Sequence, residues 1–225
     1  MKTETIAAIA TSLSESGISI IRISGNQAQE VADKIVVSKN GKKVSEFKSH
    51  TIHYGHVMEN NTIVDEVMVS FMKGPNSFTA EDTVEINCHG GILVTKKILQ
   101  LILRSGARLA QPGEFTKRAF LNGRIDLSKA EAIMDIIHAD NEFALQVGMK
   151  QLKGSVSKKV SSIREQLIYE IAFIESALDD PEHYSLDGYG DKLRQIIDSV
   201  LADLQKMVDS AENGKIIRQG VNTVI

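Results

Sequence analysis

Three charged side chains in this chain stand in company that could do chemistry: Arg22, Glu85 and Arg124. Arg22 lies in the segment ISIIRIS, where strand alternation puts it on the same face as Ile18 and Ile20. A guanidinium on an apolar strand face is unfavourable unless it is paired, reaches water or meets a ligand. Glu85 lies in TVEINC, with Val84, Ile86 and Cys88 facing one way and Thr83, Glu85 and Asn87 the other. A carboxylate there can accept two N–H donors presented side by side. Arg124, in NGRIDL, follows a turn-like Asn-Gly pair and could meet a carboxylate. Each also has an ordinary reading: Arg22 as an edge-strand arginine that snorkels or pairs with an acid, Glu85 and Arg124 as solvated surface groups. The sequence identifies no acid as the partner of Arg22.

Other groups carry less. His50, His53 and His56 recur every third residue, but in a strand His53 points away from the other two, which argues against a metal site. His89-Gly90-Gly91 has no G-x-S-x-G after it to supply a nucleophile, and its glycines suit a tight passage from strand to helix. Cys88 shares a face with Val84 and Ile86 and reads as a buried small hydrophobe. Asp179, Asp180 and Glu182 form an acidic loop of the solvated kind. The phosphate-cradling pattern G-x-x-x-x-G-K-[ST] occurs nowhere, so GTP binding and hydrolysis by that motif are not expected of these residues.

The elements that must position these groups fall into two textures. Residues 3–10, 18–24, 50–58, 63–71 and 83–88 are short and rich in β-branched residues, and predict strands. A helix is predicted from Asn26 to Val37 and another from Gly91 to Arg104, which Gly106 ends. After the PGEF turn at 112–115 apolar residues take up helical spacing. Val156, Val160, Ile163, Leu167, Ile171, Ile174 and Leu178 step by three or four, and a second ladder runs from Leu193 to Val208. Between them, 179–190 is a loop by composition. An earlier helix is expected from about Ser128, with Ser128 as its cap and Glu131 completing a capping box.

Composition limits the functions available. Of 225 residues, 26 are basic and 29 acidic, which argues against a strongly basic nucleic-acid surface over the whole chain. The 14 basic and 12 acidic residues of 1–120 contrast with 12 and 17 in 121–225. Cys88 is the only cysteine, so an intrachain disulfide and a four-cysteine zinc site are excluded and a reducing cytoplasm fits. No apolar run has the length of a membrane helix and the start lacks a signal-peptide pattern, so a soluble cytoplasmic protein is expected.

Residues 74–91, GPNSFTAEDTVEINCHGG, closely resemble the signature of the N-terminal domain of the MnmE (TrmE) family of tRNA-modification GTPases. GISIIRISG at 17–25, QPGEFTKRAFLNGRIDLSKAEAI at 111–133 and RQGVNTVI at 218–225 match the same family in order. The resemblance implies an α+β N-terminal domain with a mixed, aminomethyltransferase-like sheet, followed by an all-α helical bundle. It implies a folate-binding and dimerisation domain over 1–120, a helical domain over 121–217 and the start of a GTP-binding domain at 218–225. Arg22, Glu85 and Arg124 then occupy the positions of the family's folate contacts, with Glu85 against the pterin ring. No catalytic residue and no metal ligand is implied in these residues.

The family's activity is GTP hydrolysis coupled to 5-carboxymethylaminomethyl modification of the wobble uridine of tRNA. It works as a homodimer with an FAD-dependent MnmG-type partner, and uses 5-formyl- or methylene-tetrahydrofolate, GTP, magnesium and potassium. Two other readings remain open on the residues: a non-enzymatic dimerisation or docking scaffold, and a stand-alone folate-dependent one-carbon transferase.

Overall fold

The computed structural model describes residues 4–219. The chain divides into two compact units, Met1–Ile125 and Asp126–Ile225. In the first, the strands are β1 (Ile6–Ile9), β2 (Ser16–Ser24), β3 (Val36–Ser38), β4 (Thr51–Glu59), β5 (Thr62–Met72), β6 (Thr83–Gly90) and β7 (Arg108–Leu109). They form one mixed sheet in the order β3-β4-β5-β6-β2-β1-β7, in which β1 and β7 are parallel and the other neighbours antiparallel. Among its described residues this unit has three α-helices, α1 (Ala28–Asp33), α2 (Ile92–Arg104) and α3 (Glu114–Leu121).

The alternation seen in the sequence becomes the core. Ile21 and Ile23 of β2, Val67, Val69 and Phe71 of β5, and Val84 and Ile86 of β6 are buried in one cluster with Val31 of α1 and Ile98 and Ile102 of α2. Burying each such side chain contributes roughly 1.5–3 kcal/mol. A one-residue slip of any strand would turn this face to solvent, so burial fixes the register. The fixed register carries every alternate residue of β2, β5 and β6 to the other face. There Ile18 is 57% exposed and Ile52 of β4 66% exposed.

The second unit is helical: α4 (Leu127–Ile137), α5 (Glu142–Leu152), α6 (Ser155–Asp179) and α7 (Tyr189–Gln219). Gly148 lets α5 approach α4 closely, since a Cβ there would lie 2.9 Å from Ile136 Cγ1. Between α6 and α7 the Tyr189 hydroxyl donates to the buried Glu170 carboxylate, and burial followed by that bond pushes the phenol up to about 12.

Two expectations are corrected. The helix predicted over 26–37 is only α1, because the β-branched Val36 and Val37 leave it to pair with Val57 and His56 as β3. The first bundle helix is capped by Asp126, whose Oδ1 accepts from Lys129 N at 2.8 Å, while Ser128 lies inside the helix and donates to the same carboxylate. Ser157 donates to that carboxylate too, and holds it below the usual carboxylate range. Strand pairing is mainly between sequence neighbours, and the β2–β6 and β1–β7 pairs close the sheet over longer range. The apolar ladders do form helices, but Val160, Leu167, Ile171 and Leu178 of α6 and Leu201 and Val208 of α7 are exposed. Residues 220–225, most of the stretch in which the resemblance sets the start of a GTP-binding domain, lie outside the described residues.

Candidate functional site

The β2–β6 register sets Arg22 directly opposite Glu85, and Arg22 Nε donates to Glu85 Oε1 at 2.8 Å. This supplies the acid that the sequence does not identify, 63 residues further along the chain. The two side chains are 24% and 19% exposed, so the pair is neither sealed in the core nor freely solvated. Only one oxygen and one nitrogen are engaged. Glu85 Oε2 and the terminal nitrogens of Arg22 have no hydrogen-bond partner among the described residues.

Two aromatic rings flank the pair. The Arg22 guanidinium carbon lies 5.2 Å from the Phe78 ring centroid and 5.5 Å from that of Phe115. Arg124 meets the same Phe78, with its guanidinium carbon 5.4 Å from the ring centroid and its Nη1 donating to the Phe78 carbonyl at 3.2 Å. Each arginine–ring contact is worth roughly 0.5–2 kcal/mol. The three candidate residues thus gather around one ring: Arg22 and Arg124 both contact Phe78, and Glu85 is bonded to Arg22.

The loop between β5 and β6 presents Phe78 because its polar side chains pin it from within. Ser24 Oγ lies 2.7 Å from Thr79 Oγ1 and donates to Glu81 Oε2 at 2.9 Å. Asn122 Nδ2 donates to the Thr79 carbonyl at 2.7 Å, and Asp82 Oδ1 accepts from Gly74 N at 2.9 Å. A buried ion network anchors the same loop to α3. Arg118 donates to Glu81 at 2.9 Å, to Glu114 at 3.2 Å and to the Glu4 carbonyl at 2.8 Å, with Arg118 and Glu81 side chains each only 8% exposed. Arg108 forks onto Glu114 at 2.7 and 3.0 Å and, chiefly through these bonds, holds its carboxyl down at about 2.

The sequence reasoning misses Phe78, Phe115 and the Arg118 network. A signal was present: the chain has only seven phenylalanines, and these two lie inside the motif segments 74–91 and 111–133. Cys88 is buried as expected, and burial pushes its thiol up. Gly90 closes tightly on β2, where a Cβ would lie 2.1 Å from Ser16 Oγ, and α2 begins two residues later. The three histidines go separate ways. His50 precedes β4, His53 stacks on Phe47 and His56 lies 3.6 Å from Glu66, and no group of three metal-ligating side chains occurs among the described residues. His89 bonds Asp65 at 2.6 Å, which raises the imidazole above its ordinary range.

Fold and site together define a mixed-sheet α+β domain with an arginine–glutamate centre walled by phenylalanines, followed by a helical domain. A family model described as GTP-binding protein TrmE N-terminus matches residues 5–124, and one described as MnmE helical domain matches residues 127–222. The chain is 58% identical over 226 residues to the tRNA modification GTPase MnmE of Lachnoclostridium phytofermentans, covering 100% of this chain and 49% of that protein. It is 54% identical over 228 residues to the protein of that name from Alkaliphilus oremlandii, and 50% over 222 residues to that of Clostridioides difficile. In both cases 99% of this chain is covered, with 49% and 48% of the relative. The chain belongs to the MnmE (TrmE) family, whose members here carry the name tRNA modification GTPase. It spans about half the length of the curated relatives it matches. No helix among the described residues is long and apolar enough to cross a membrane.

Proposed function

We propose that this chain is the folate-holding and helical portion of a tRNA modification GTPase. The observation that carries the reading is the convergence of Arg22, Glu85 and Arg124 on one half-buried aromatic ring, with hydrogen-bonding capacity left over. These residues fit a reduced folate. Glu85 offers a carboxylate oxygen to the N–H and amino edge of a pterin, Phe78 and Phe115 offer flat apolar walls, and Arg124 offers a cation to the carboxylates of a glutamate tail. When bound, 5-formyl- or methylene-tetrahydrofolate supplies a one-carbon unit; these side chains bind and orient it.

The finer family reading belongs to the same proposal. Residues 1–120 hold folate and dimerise, 121–217 form the helical domain and 218–225 open the GTP-binding domain. The whole protein hydrolyses GTP with magnesium and potassium in the cytoplasm, and installs the 5-carboxymethylaminomethyl group on tRNA wobble uridine with an FAD-dependent MnmG-type partner. A homodimer through the sheet domain is supported by the exposed apolar residues Ile18, Ile52 and Met68. That same face is what favours a plain dimerisation scaffold as the second reading.

Titration calorimetry of the chain with 5-formyl-tetrahydrofolate separates the two readings. Saturable binding is expected, and Glu85→Gln should weaken it by about 1.5–3 kcal/mol, because one acceptor becomes a donor facing an N–H. No heat of binding, or equal affinity in the variant, would remove Glu85 from a folate site and leave the scaffold.

A further inference from the structure

One polar group beside the site is engaged neither by the Arg22–Glu85 pair nor by the Arg118 network. Asn87 lies two residues beyond Glu85 on β6, on the same face and about 7 Å along the strand. Its cross-strand neighbours are Ile20 of β2 and Met68 of β5, neither of which can donate a side-chain hydrogen bond. Its Oδ1 is buried and has no hydrogen-bond partner among the described residues. Unmet buried acceptors are destabilising and uncommon in folded proteins, and each calls for a partner that the fold itself does not supply. Asn87 does not serve the fold by bonding, and its oxygen faces the same side of the sheet as Glu85.

We propose that Asn87 is a specificity-determining residue that reads the reduction state of a bound pterin; this rests on the folate reading. The carboxylate of Glu85 suits the amino-pyrimidine edge, which is the same in oxidised and reduced folates. The second ring differs. In dihydro- and tetrahydrofolates its N8 carries hydrogen and donates, whereas in fully oxidised folic acid N8 carries a lone pair and accepts. An acceptor further along the same strand completes a hydrogen bond with the reduced ring and opposes a lone pair in the oxidised one. Flipping the amide would instead bury an NH2 group with a hydrogen left unmet, so the side chain cannot serve both forms equally. Sites built to bond an N–H reject analogues that lack it more strongly than apolar pockets reject a misfit.

The test uses the whole chain, titrated by calorimetry with 5-formyl-tetrahydrofolate and separately with folic acid, as wild type and as Asn87→Leu. Wild type should prefer the reduced form by about tenfold or more. Asn87→Leu should lose roughly tenfold for the reduced form, stay within about twofold for folic acid, and melt without folate at the wild-type temperature or above, since an unmet acceptor has been replaced by apolar atoms. Asn87→Val, which suits a strand and carries no acceptor, has the same expectation for affinity should the leucine variant not fold. An unchanged preference in the variants overturns the assignment, as does a lower melting temperature or altered sedimentation with the preference intact, which would make Asn87 a structural or copy-to-copy contact. Wild type that binds both folates equally overturns this inference alone. Wild type that binds neither overturns the folate reading with it, and Glu85→Gln distinguishes the cases by weakening both folates together.

Discussion

Arg22 and Arg118 sit in the same sheet domain and each meets glutamate, yet they are built in opposite ways. Arg118 is buried and saturated, holding Glu81, Glu114 and a main-chain carbonyl at once. Arg22 is part-exposed, makes one bond to Glu85 and rests between two aromatic rings with its terminal nitrogens unused. A charge taken out of water must be met on every side, so a saturated cluster serves the fold. A charge left half-met at an open face retains capacity for something else. The difference between the two arginines therefore separates what holds the loop carrying Phe78 from what the loop is held for.

The strongest way to break this contrast is at the buried end. Arg118→Ala should lower stability by about 3–5 kcal/mol, because it takes the buried cation away from Glu81 and Glu114 and frees the loop from α3. Urea unfolding followed by far-UV circular dichroism measures this. A loss below about 1 kcal/mol would mean the network is not what fixes the loop.

Acid probes the same cluster more gently. The Glu114 carboxyl lies at about 2 when folded, against an ordinary value of 4.5, chiefly because Arg108 bonds it. A depressed carboxyl contributes stability that is fully present above pH 4.5 and is lost as pH falls towards 2. About 1–3 kcal/mol should vanish over that window, and Glu114→Gln should narrow the gap to wild type as the solution is acidified. A gap that stays constant from pH 6 to pH 2.5 would contradict the pairing.

How much of this was legible in the sequence depends on range. The alternation of β6 told which way Glu85 and Cys88 point, because side-chain period is a local property. The pairing of Arg22 with Glu85 was not legible, since the register joining β2 to β6 is set by the whole buried face and not by either segment. Ile18 and Ile20 do share the side of Arg22, as alternation says, but the core side is that of Ile21 and Ile23. Phe78 was missed because its position follows from the side-chain bonds of Ser24, Thr79 and Glu81, which no periodicity encodes. In the helical unit the ladders predict helices, closely in extent for α6, whereas α7 runs past residues 193–208 at both ends; periodicity cannot say which apolar stripe is covered, and much of the α6 stripe is exposed.

The smallest expected effect on stability is at the open end of the contrast, and it is also the most direct test of the central claim that Arg22 and Glu85 form a ligand site. Arg22→Ala should be measured twice, by urea unfolding without folate and by calorimetric titration with 5-formyl-tetrahydrofolate. Stability within about 1 kcal/mol of wild type is expected, as for a part-exposed pair, together with a fall in folate affinity of about tenfold or more. A loss of about 3–5 kcal/mol in stability with folate affinity unchanged would make Arg22 a second Arg118 and contradict the account.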